Sequence, residues 1–285
     1  MQIVPTFFYA FWDLYRRFSE NYTENMEVKR MENYLDGVKA WWEETADSEW
    51  YQSLRTEEVV QRILTQPESA FTAEVYDLLK RFMEGFEGKR VLVPSSGDNH
   101  AAFAFSVLGA QVISADISER QLENARKIAE KHGLHMNFVQ ADTMTLEPFA
   151  DGAFDLVYTS NGVHSWINEL EKMYENISRV LKSGGMSVMW DIHPFQRPFA
   201  GEVFAQPRVV KAYDDVKPQE HNHWRVMDLV NSTVRGGLCI EEMLELNGGT
   251  AFWYRYDETP NVRAADWHDN PLAALPTHIC IAARK

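Results

Sequence analysis

The spacing of hydrophobic and polar positions changes twice along the chain and divides it into three regions. Residues 1–88 are helix-like, and the clearest segment, 71–86, carries apolar residues at steps of three and four. This spacing predicts a helix with one buried face, and we expect Gly88 to end it. From residue 89 onward short apolar runs alternate with helical segments, and after residue 191 the regular pattern loosens.

The middle region predicts five strands, over 90–93, 112–116, 137–140, 154–158 and 186–190. Helices are predicted between them over 101–108 and 170–181. Another helix starts at Ser118, which forms a capping box with Gln121, and ends at Gly133. Strands that alternate with helices in this way indicate an α/β fold, with a parallel sheet covered by helices on both faces.

The third region begins with a stretch, 193–223, that contains four prolines and has no sustained periodicity. A helix is predicted over 224–234. Two further strands are predicted over 238–246 and 278–283.

Small and acidic residues follow three successive strands. The first strand leads into a loop of small residues around Gly97, which allows backbone N–H groups to approach a ligand. Asp116 ends the second strand 116 − 97 = 19 residues later, a spacing at which a carboxylate accepts hydrogen bonds from ribose hydroxyls. Asp142 follows the third strand, where its carboxylate could take an adenine amino group. Because ligands of open parallel sheets bind at the carboxyl ends of the strands, these positions together predict an adenosine-containing ligand.

Each of these signals has a plainer interpretation when taken alone. Asp116 could simply end a strand beside the Ser118 cap, and Asp142 could be an ordinary turn residue. The loop is weak evidence by itself, because one of the three glycines expected in a phosphate-binding fingerprint is present.

Residues 89–191 resemble the class I S-adenosylmethionine-dependent methyltransferases, in particular the group acting on small molecules. The segment 91–99 occupies the place of the family's glycine motif, and Ala115-Asp116-Ile117-Ser118 that of its ribose-binding stretch. Gln140-Ala141-Asp142-Thr143 and Phe154-Asp155-Leu156-Val157 resemble the adenine-binding turn and the fourth strand. The turn at 179–185 is similar to the family's turn before the fifth strand.

The resemblance implies a doubly wound, seven-stranded, mostly parallel Rossmann-like sheet whose last two strands form an antiparallel edge. It implies an N-terminal helical cap or lid over 1–88 and a methyltransferase domain over 89–285, with 193–223 as a substrate-binding insertion. S-adenosylmethionine is the expected cofactor, and a small molecule is the expected methyl acceptor. The implied cofactor-binding residues are Pro94, Ser95, Ser96, Gly97, Asp116, Ile117, Gln121, Asp142, Thr143, Ser160, Asn161, Gly162 and, from an aromatic lid segment, Tyr51.

The glycine motif departs from the family pattern at three positions. Val93 replaces the usual acidic residue, which puts a contact to the methionine amino group in doubt, and Ser95 and Asn99 replace glycines. A serine is compatible with binding if its φ is negative, and asparagine tolerates the left-handed region. A degenerate, non-catalytic S-adenosylmethionine-binding protein is therefore an alternative. A nicotinamide-dependent oxidoreductase is a weaker one, because pyrophosphate needs close backbone approach.

Methyl transfer can rely on positioning and desolvation, so a general base is optional. If a base is used, histidine suits neutral pH best. The candidates are His193 after the fifth strand and His164 after the fourth, followed by His221 and His223. The last two have no recognisable third ligand, so no metal site is expected.

Composition excludes several classes of partner. The chain has 42 acidic and 28 basic residues among 285, a net charge of −14, and no basic run, which argues against nucleic acid and anionic membrane surfaces. The apolar stretch 3–12 is too short to span a bilayer. The two cysteines, Cys239 and Cys280, fit a reducing, cytoplasmic location. A homodimer is a further expectation.

Overall fold

The computed structural model describes residues 34–196, 212–214, 216, 222–247 and 275–285. Within residues 34–89, four helices precede the sheet: α1 (Tyr34–Thr45), α2 (Glu49–Leu54), α3 (Glu57–Thr65) and α4 (Ala73–Met83), with a 3₁₀ turn at Pro67–Ala70. Ser48, Thr56 and Thr72 cap α2, α3 and α4, each accepting a hydrogen bond from a backbone amide of the first turn. Among the described helices, none is both long and apolar enough to cross a membrane.

The end of α4 differs from the prediction. The helix stops at Met83 because Glu84 already adopts a left-handed conformation, with φ of 54°. Gly88 instead lies in the link to the first strand, also with positive φ. An early left-handed residue ended the helix before the glycine did.

The predicted strands and helices of the sheet region are confirmed, with their ends displaced by a few residues. Strand β5 starts earlier than expected, since Leu181 already pairs with Phe154 ahead of a register shift. The elements are β1 (Arg90–Val93), α5 (His100–Val107), β2 (Gln111–Asp116), α6 (Glu119–His132), β3 (Met136–Gln140), β4 (Phe154–Ser160), α7 (Leu170–Val180), β5 (Leu181–Ile192), α8 (Val226–Arg235), β6 (Cys239–Asn247) and β7 (Pro276–Arg284), with 3₁₀ turns at Val163–Trp166 and Pro194–Gln196.

The seven strands form one sheet in the order β3-β2-β1-β4-β5-β7-β6. Strands β1 to β5 pair in parallel, and β7 runs antiparallel to both β5 and β6. This confirms the mostly parallel seven-stranded sheet with an antiparallel edge. The strand order reverses between β1 and β4, so the loops after these two strands flank the crevice in which open α/β sheets bind ligands.

Helices cover both faces of the sheet, which confirms the doubly wound arrangement. Leu92 and Val157 belong to the cluster under α7 and α8, whereas Val91 and Val93 belong to the cluster under α4 and α5. The alternation follows from the pleat of β1. Val93, which stands in place of the family's acidic residue, is therefore a core residue with 3% of its surface exposed.

Candidate functional site

The loop after β1 is a compact turn with three left-handed residues. Ser95, Gly97 and Asn99 have φ of 50°, 49° and 66°. The negative φ under which a serine is compatible with binding is therefore not present at Ser95, and a left-handed serine costs about 1–2 kcal/mol. A bond of 2.7 Å between the hydroxyls of Ser95 and Thr143 compensates and ties this loop to the one after β3. Asn99 adopts the left-handed conformation that the sequence analysis allowed.

A polar network beneath the loop includes Asn99, one of the two residues that replaced glycines. The hydroxyl of the buried Ser114 on β2 bonds both Ser96 Oγ, at 2.9 Å, and Asn99 Oδ1. Asn99 Nδ2 in turn donates to the Gly97 carbonyl oxygen at 3.0 Å. The loop is thus held by specific partners, and Ser114, which sequence analysis missed, is one of them.

Asp116 links the end of β2 to this loop. Its Oδ2 accepts a hydrogen bond from the Gly97 amide at 3.0 Å, and its Oδ1 accepts one from the Ser118 amide at 2.9 Å. The carboxyl is buried, with 5% of the residue exposed. Burial raises its pKa to about 6, against the two backbone N–H groups and the nearby Arg55, which favour the charged form. The predicted ribose-binding carboxylate therefore sits directly under the loop.

The residues predicted to meet the adenine lie at the adjacent strand end. Asp142 is half-buried, and its Oδ1 accepts a hydrogen bond from the Met144 amide at 2.9 Å. Burial raises the pKa of this carboxyl as well. Thr143 is buried against Ser95, while the Gln140 side chain donates to the Ile117 carbonyl oxygen at 3.0 Å. The strand pairing of β2 with β3 brings these groups together.

The turn after β4 forms the other side of the crevice. Asn161 and Gly162 both have positive φ, 64° and 93°, directly after Ser160 at the end of the strand. The Asn161 amide donates to the Trp190 carbonyl oxygen at 2.8 Å, and the Gly162 amide donates to Asp191 Oδ1 at 2.6 Å. The end of β5 thereby fixes this turn.

Two residues from the N-terminal helices contact the loop after β1. Arg55, at the end of α2, donates to the carbonyl oxygens of Gly97 and Ala46 at 3.1 and 2.8 Å. Its guanidinium stacks on the buried Tyr51 ring, 4.8 Å from the centroid. A Cβ added at Gly97 would lie 3.5 Å from the Tyr51 hydroxyl oxygen. Tyr51 was predicted as a site residue, whereas no sequence motif singled out Arg55.

The capping box predicted for α6 is only half present. Ser118 Oγ accepts the Gln121 amide at 3.1 Å as expected, but the Ser118 amide donates to Asp116 instead of to Gln121. The fully buried Gln121 side chain accepts a hydrogen bond from Arg55. Glu43 of α1 adds a second cap, since its carboxylate accepts the backbone amides of Glu119 and Arg120 at 2.9 and 3.0 Å.

Aromatic rings join α1 to the turn that follows β4. Trp41 and Trp42 lie 4.7 and 5.1 Å from Trp166, between ring centroids, and 4.6 Å from each other. The Tyr34 hydroxyl donates to the Trp166 carbonyl oxygen at 3.0 Å. These rings extend the apolar surface from the N-terminal helices to the crevice.

His164 has hydrogen-bond partners at both ring nitrogens. Its Nδ1 lies 2.6 Å from Asp191 Oδ2, and its Nε2 lies 3.0 Å from the Tyr174 hydroxyl. The ring is buried against α7. This geometry is typical of a histidine that positions its neighbours, so a role as general base stays a prediction.

His193 is similarly engaged at both nitrogens. Its Nδ1 accepts the Phe195 amide at 3.1 Å, so Nε2 carries the proton and donates to Glu245 at 3.0 Å. Burial lowers the pKa of the ring. Action as a base would require one of these bonds to break, and this role too stays a prediction. His223 lies half-buried before α8, and His221 lies outside the described residues.

The sheet region is similar in sequence to known proteins. Residues 92–189 match a family described as a methyltransferase domain. The chain is 35% identical over 118 residues to a demethylmenaquinone methyltransferase of Thermus thermophilus, which covers 41% of this chain and 53% of that enzyme. It is 32% identical over 109 residues to a sterol 24-C-methyltransferase of Pneumocystis carinii, covering 37% of this chain and 28% of that enzyme. The chain thus spans about half, or less, of the length of these relatives.

Solved structures share the fold. An S-adenosylmethionine-dependent methyltransferase from Mesorhizobium loti aligns with a TM-score of 0.58 at 21% identity, covering 75% of this chain and 98% of that one. Geranyl diphosphate C-methyltransferase from Streptomyces coelicolor aligns with a TM-score of 0.59 at 14% identity, covering 88% and 97%. Residues 92–189 thus match a methyltransferase domain, and the described residues share the fold of S-adenosylmethionine-dependent methyltransferases.

Proposed function

We propose that this protein is an S-adenosylmethionine-dependent methyltransferase that acts on a small-molecule acceptor and releases S-adenosylhomocysteine. The observation that carries the proposal is the junction of Asp116 with the Gly97 amide, beside Asp142 on the next strand end. This junction puts a buried carboxylate and a backbone turn where an adenosine would bind. The similarity of residues 92–189 to methyltransferase domains supports the same conclusion.

The residues present fit this cofactor. Three buried polar atoms around the crevice have no hydrogen-bond partner among the described residues: Arg55 Nε, Gln121 Nε2 and Asn161 Oδ1. Buried polar groups normally have partners, so unpaired ones beside a crevice support a polar ligand there. Asp116 would hold the ribose, Asp142 the adenine amino group, and the remaining predicted contacts would come from the turns at 94–97 and 160–162.

In the proposed mechanism the protein contributes positioning and exclusion of water. The cofactor supplies a methyl group on a sulfonium, which is electrophilic without further activation. The loop after β1 and the turn after β4 orient the two sides of the crevice, and the rings of Trp41, Trp42 and Trp166 keep water away from it. No base is needed for an acceptor that is already nucleophilic, which agrees with the engaged nitrogens of His164 and His193.

The acceptor in this proposal is small and largely apolar. The aromatic cluster of α1 and Trp166 supports such a molecule, and the Thermus and Pneumocystis relatives are named for demethylmenaquinone and sterol acceptors.

The helices of 34–83 act as the cap in this proposal. The free thiols of Cys239 and Cys280 support a cytoplasmic location. The expected homodimer and the insertion at 193–223, most of which lies outside the described residues, stay predictions.

The polar network under the loop weighs against a decayed site. A degenerate loop has no need to keep Ser114, Ser96 and Asn99 bonded to one another.

Two measurements decide between the alternatives: calorimetric titration with S-adenosylhomocysteine and with NAD, and transfer of a labelled methyl group from S-adenosylmethionine to a metabolite extract. We expect binding of S-adenosylhomocysteine and a labelled product. Binding of NAD alone indicates an oxidoreductase, and tight binding without any labelled product indicates a non-catalytic protein.

The raised pKa of Asp116 predicts a pH-dependent affinity. Ribose hydroxyls donate to the ionised carboxylate, so protonation below its pKa of about 6 weakens binding. The dissociation constant of S-adenosylhomocysteine is expected to rise roughly tenfold per pH unit below 6 and to be constant above 7. The stability of the ligand-free protein has the opposite pH dependence. The Asp116 carboxyl loses its proton near pH 3.8 in the unfolded chain and near 6 in the folded one, so the free energy of unfolding falls as pH rises from 3.8 to about 6.

Calorimetry at several pH values between 5 and 8 measures the effect. Asp142 also has a raised pKa, so the series is repeated with Asp142→Ala to separate the two carboxyls. A dependence that persists unchanged in Asp116→Ala would assign it to another group.

A further inference from the structure

Arg55 brings a half-buried cation to the loop after β1. Its guanidinium donates to the Gly97 and Ala46 carbonyl oxygens and to the Gln121 side chain, and Tyr51 covers its face. Its Nε is buried and has no hydrogen-bond partner among the described residues. The side-chain amide nitrogen of Gln121, a fully buried residue, also has no hydrogen-bond partner among the described residues. Two buried N–H donors at one place call for an acceptor that the described protein atoms do not supply.

The positive charge of Arg55 sets the kind of acceptor that its Nε would bind. Asp98, Asp47 and Asp116 all act electrostatically on its guanidinium, and Glu43 lies close to Asp116. These aspartate carboxylates favour the charged form of the guanidinium, which contacts the Gly97 loop. In S-adenosylmethionine the carboxylate of the methionine part is the one anionic group. A guanidinium pairs with a carboxylate more strongly than with a neutral acceptor.

We infer that Arg55, supported by Gln121, binds the carboxylate of the cofactor's methionine part and makes the protein select ligands that carry it. The inference rests on the proposed function. Val93 is a core residue and offers the amino-acid part of the ligand no polar contact. Arg55 would supply a polar contact to that part of the ligand instead. Arg55 is then a residue of both the lid and the binding site, so lid closure and ligand recognition depend on the same side chain.

The rival explanation is that Arg55 only fastens α2 to the loop. The two explanations differ in what they expect from a ligand without the carboxylate. A fastening residue stabilises the closed lid over any adenosyl ligand, whereas a carboxylate-binding residue discriminates between ligands that differ in that group alone.

The experiment compares S-adenosylhomocysteine with its decarboxylated form, S-adenosyl-3-thiopropylamine, by calorimetric titration of the full chain. The wild-type protein is expected to bind the carboxylate-bearing ligand at least about tenfold more tightly, the scale of a charge-assisted hydrogen bond. In Arg55→Met this preference is expected to fall to about twofold or less, with little change for the decarboxylated ligand. Arg55→Lys, which keeps the charge but loses the planar fork, is expected to retain part of the preference.

Arg120→Met is the matched control. Arg120 also joins the N-terminal helices to α6, through a bond of 2.7 Å to Asp47, but its side chain is exposed and its described hydrogen bonds go to Asp47 and Glu123, not to the Gly97 loop. This variant is expected to keep the full preference for the carboxylate. Circular dichroism melting shows whether each variant is folded. If Arg55→Met does not fold, the test is the comparison of the ligand preference of Arg55→Lys with that of the wild type.

The outcomes separate the inference from the proposed function. No binding of either ligand by the wild-type protein contradicts the proposed function itself. Equal binding of both ligands by the wild type, an unchanged preference in Arg55→Met, or equal weakening of both ligands in that variant overturns the role of Arg55 alone.

Discussion

Replacing Asp116 with alanine is expected to weaken the binding of S-adenosylhomocysteine by about 1.5–3 kcal/mol, or roughly 10- to 150-fold in dissociation constant. The carboxylate is buried, and it is the proposed acceptor for the ribose hydroxyls. Its two oxygens also receive the amides of Gly97 and Ser118, so its loss removes both a ligand contact and the connection that holds the loop in place. Calorimetric titration of the folded variant measures the effect.

Asp142→Ala is the comparison for this experiment. That carboxyl is half-buried, and the proposed bond to a neutral amino group is worth less than a pair of bonds to a ribose. We therefore expect a smaller loss of affinity than in Asp116→Ala. An unchanged dissociation constant in well-folded Asp116→Ala would reject the ribose assignment, and a larger effect at Asp142 would reverse the two roles.

The sequence predicted the sheet well because its strands and helices have clear periods. Parallel strands that alternate with amphipathic helices leave few topologies, and all seven predicted strands are present in one sheet. The errors lie at element ends, where local conformation decides. Glu84 ended α4 ahead of Gly88 by adopting a left-handed conformation, and Leu181 entered the sheet early because it pairs with Phe154. Such events depend on tertiary contacts that a pattern of apolar positions does not encode.

The candidate site was predictable only in part, and the reason is physical. Residues at strand ends could be placed from sequence, because the carboxyl ends of parallel strands meet at one edge of the sheet. Contacts between distant elements could not. Arg55 reaches Gly97 from 42 residues away, Glu43 caps a helix more than 70 residues later, and Ser114 is one ordinary strand residue. None belongs to a motif. Gln121 was predicted both for the cap and for the cofactor site, and its contact with Arg55 could not be foreseen from the cap.

Contacts between distant elements also decide whether the two histidines can act as bases. A histidine after a strand end is a reasonable candidate base from sequence, yet its availability depends on the hydrogen-bond partners of its two ring nitrogens. Glu245, which bonds His193, lies 52 residues away on β6, and Asp191, which bonds His164, lies on β5. Folding brings these carboxylates to the rings, and spacing along the chain does not reveal it.

Asp191 at the end of β5 is expected to be the most sensitive position for stability. With 2% of its surface exposed, it accepts hydrogen bonds from the amides of Gly162, His164 and Ile192 and from His164 Nδ1, at 2.6–3.0 Å. Asp191→Ala leaves these buried donors without an acceptor, and each unsatisfied group costs about 1–3 kcal/mol. Allowing for partial relaxation, we expect the free energy of unfolding to fall by roughly 3–5 kcal/mol.

Urea unfolding followed by circular dichroism measures this loss, with Asp151→Ala as the control. Asp151 also forms an ion pair, at 2.8 Å from Arg179, but its side chain is 79% exposed, so its removal should cost about 1 kcal/mol or less. Asp191→Asn keeps the shape and one acceptor oxygen and is expected to fall between the two, which preserves the test if the alanine variant does not fold. Because Asp191 holds the turn at Asn161 and Gly162, the asparagine variant should also bind S-adenosylhomocysteine more weakly than its loss of stability alone explains. A loss at Asp191→Ala no larger than that at Asp151→Ala would show that the turn after β4 is held by other contacts.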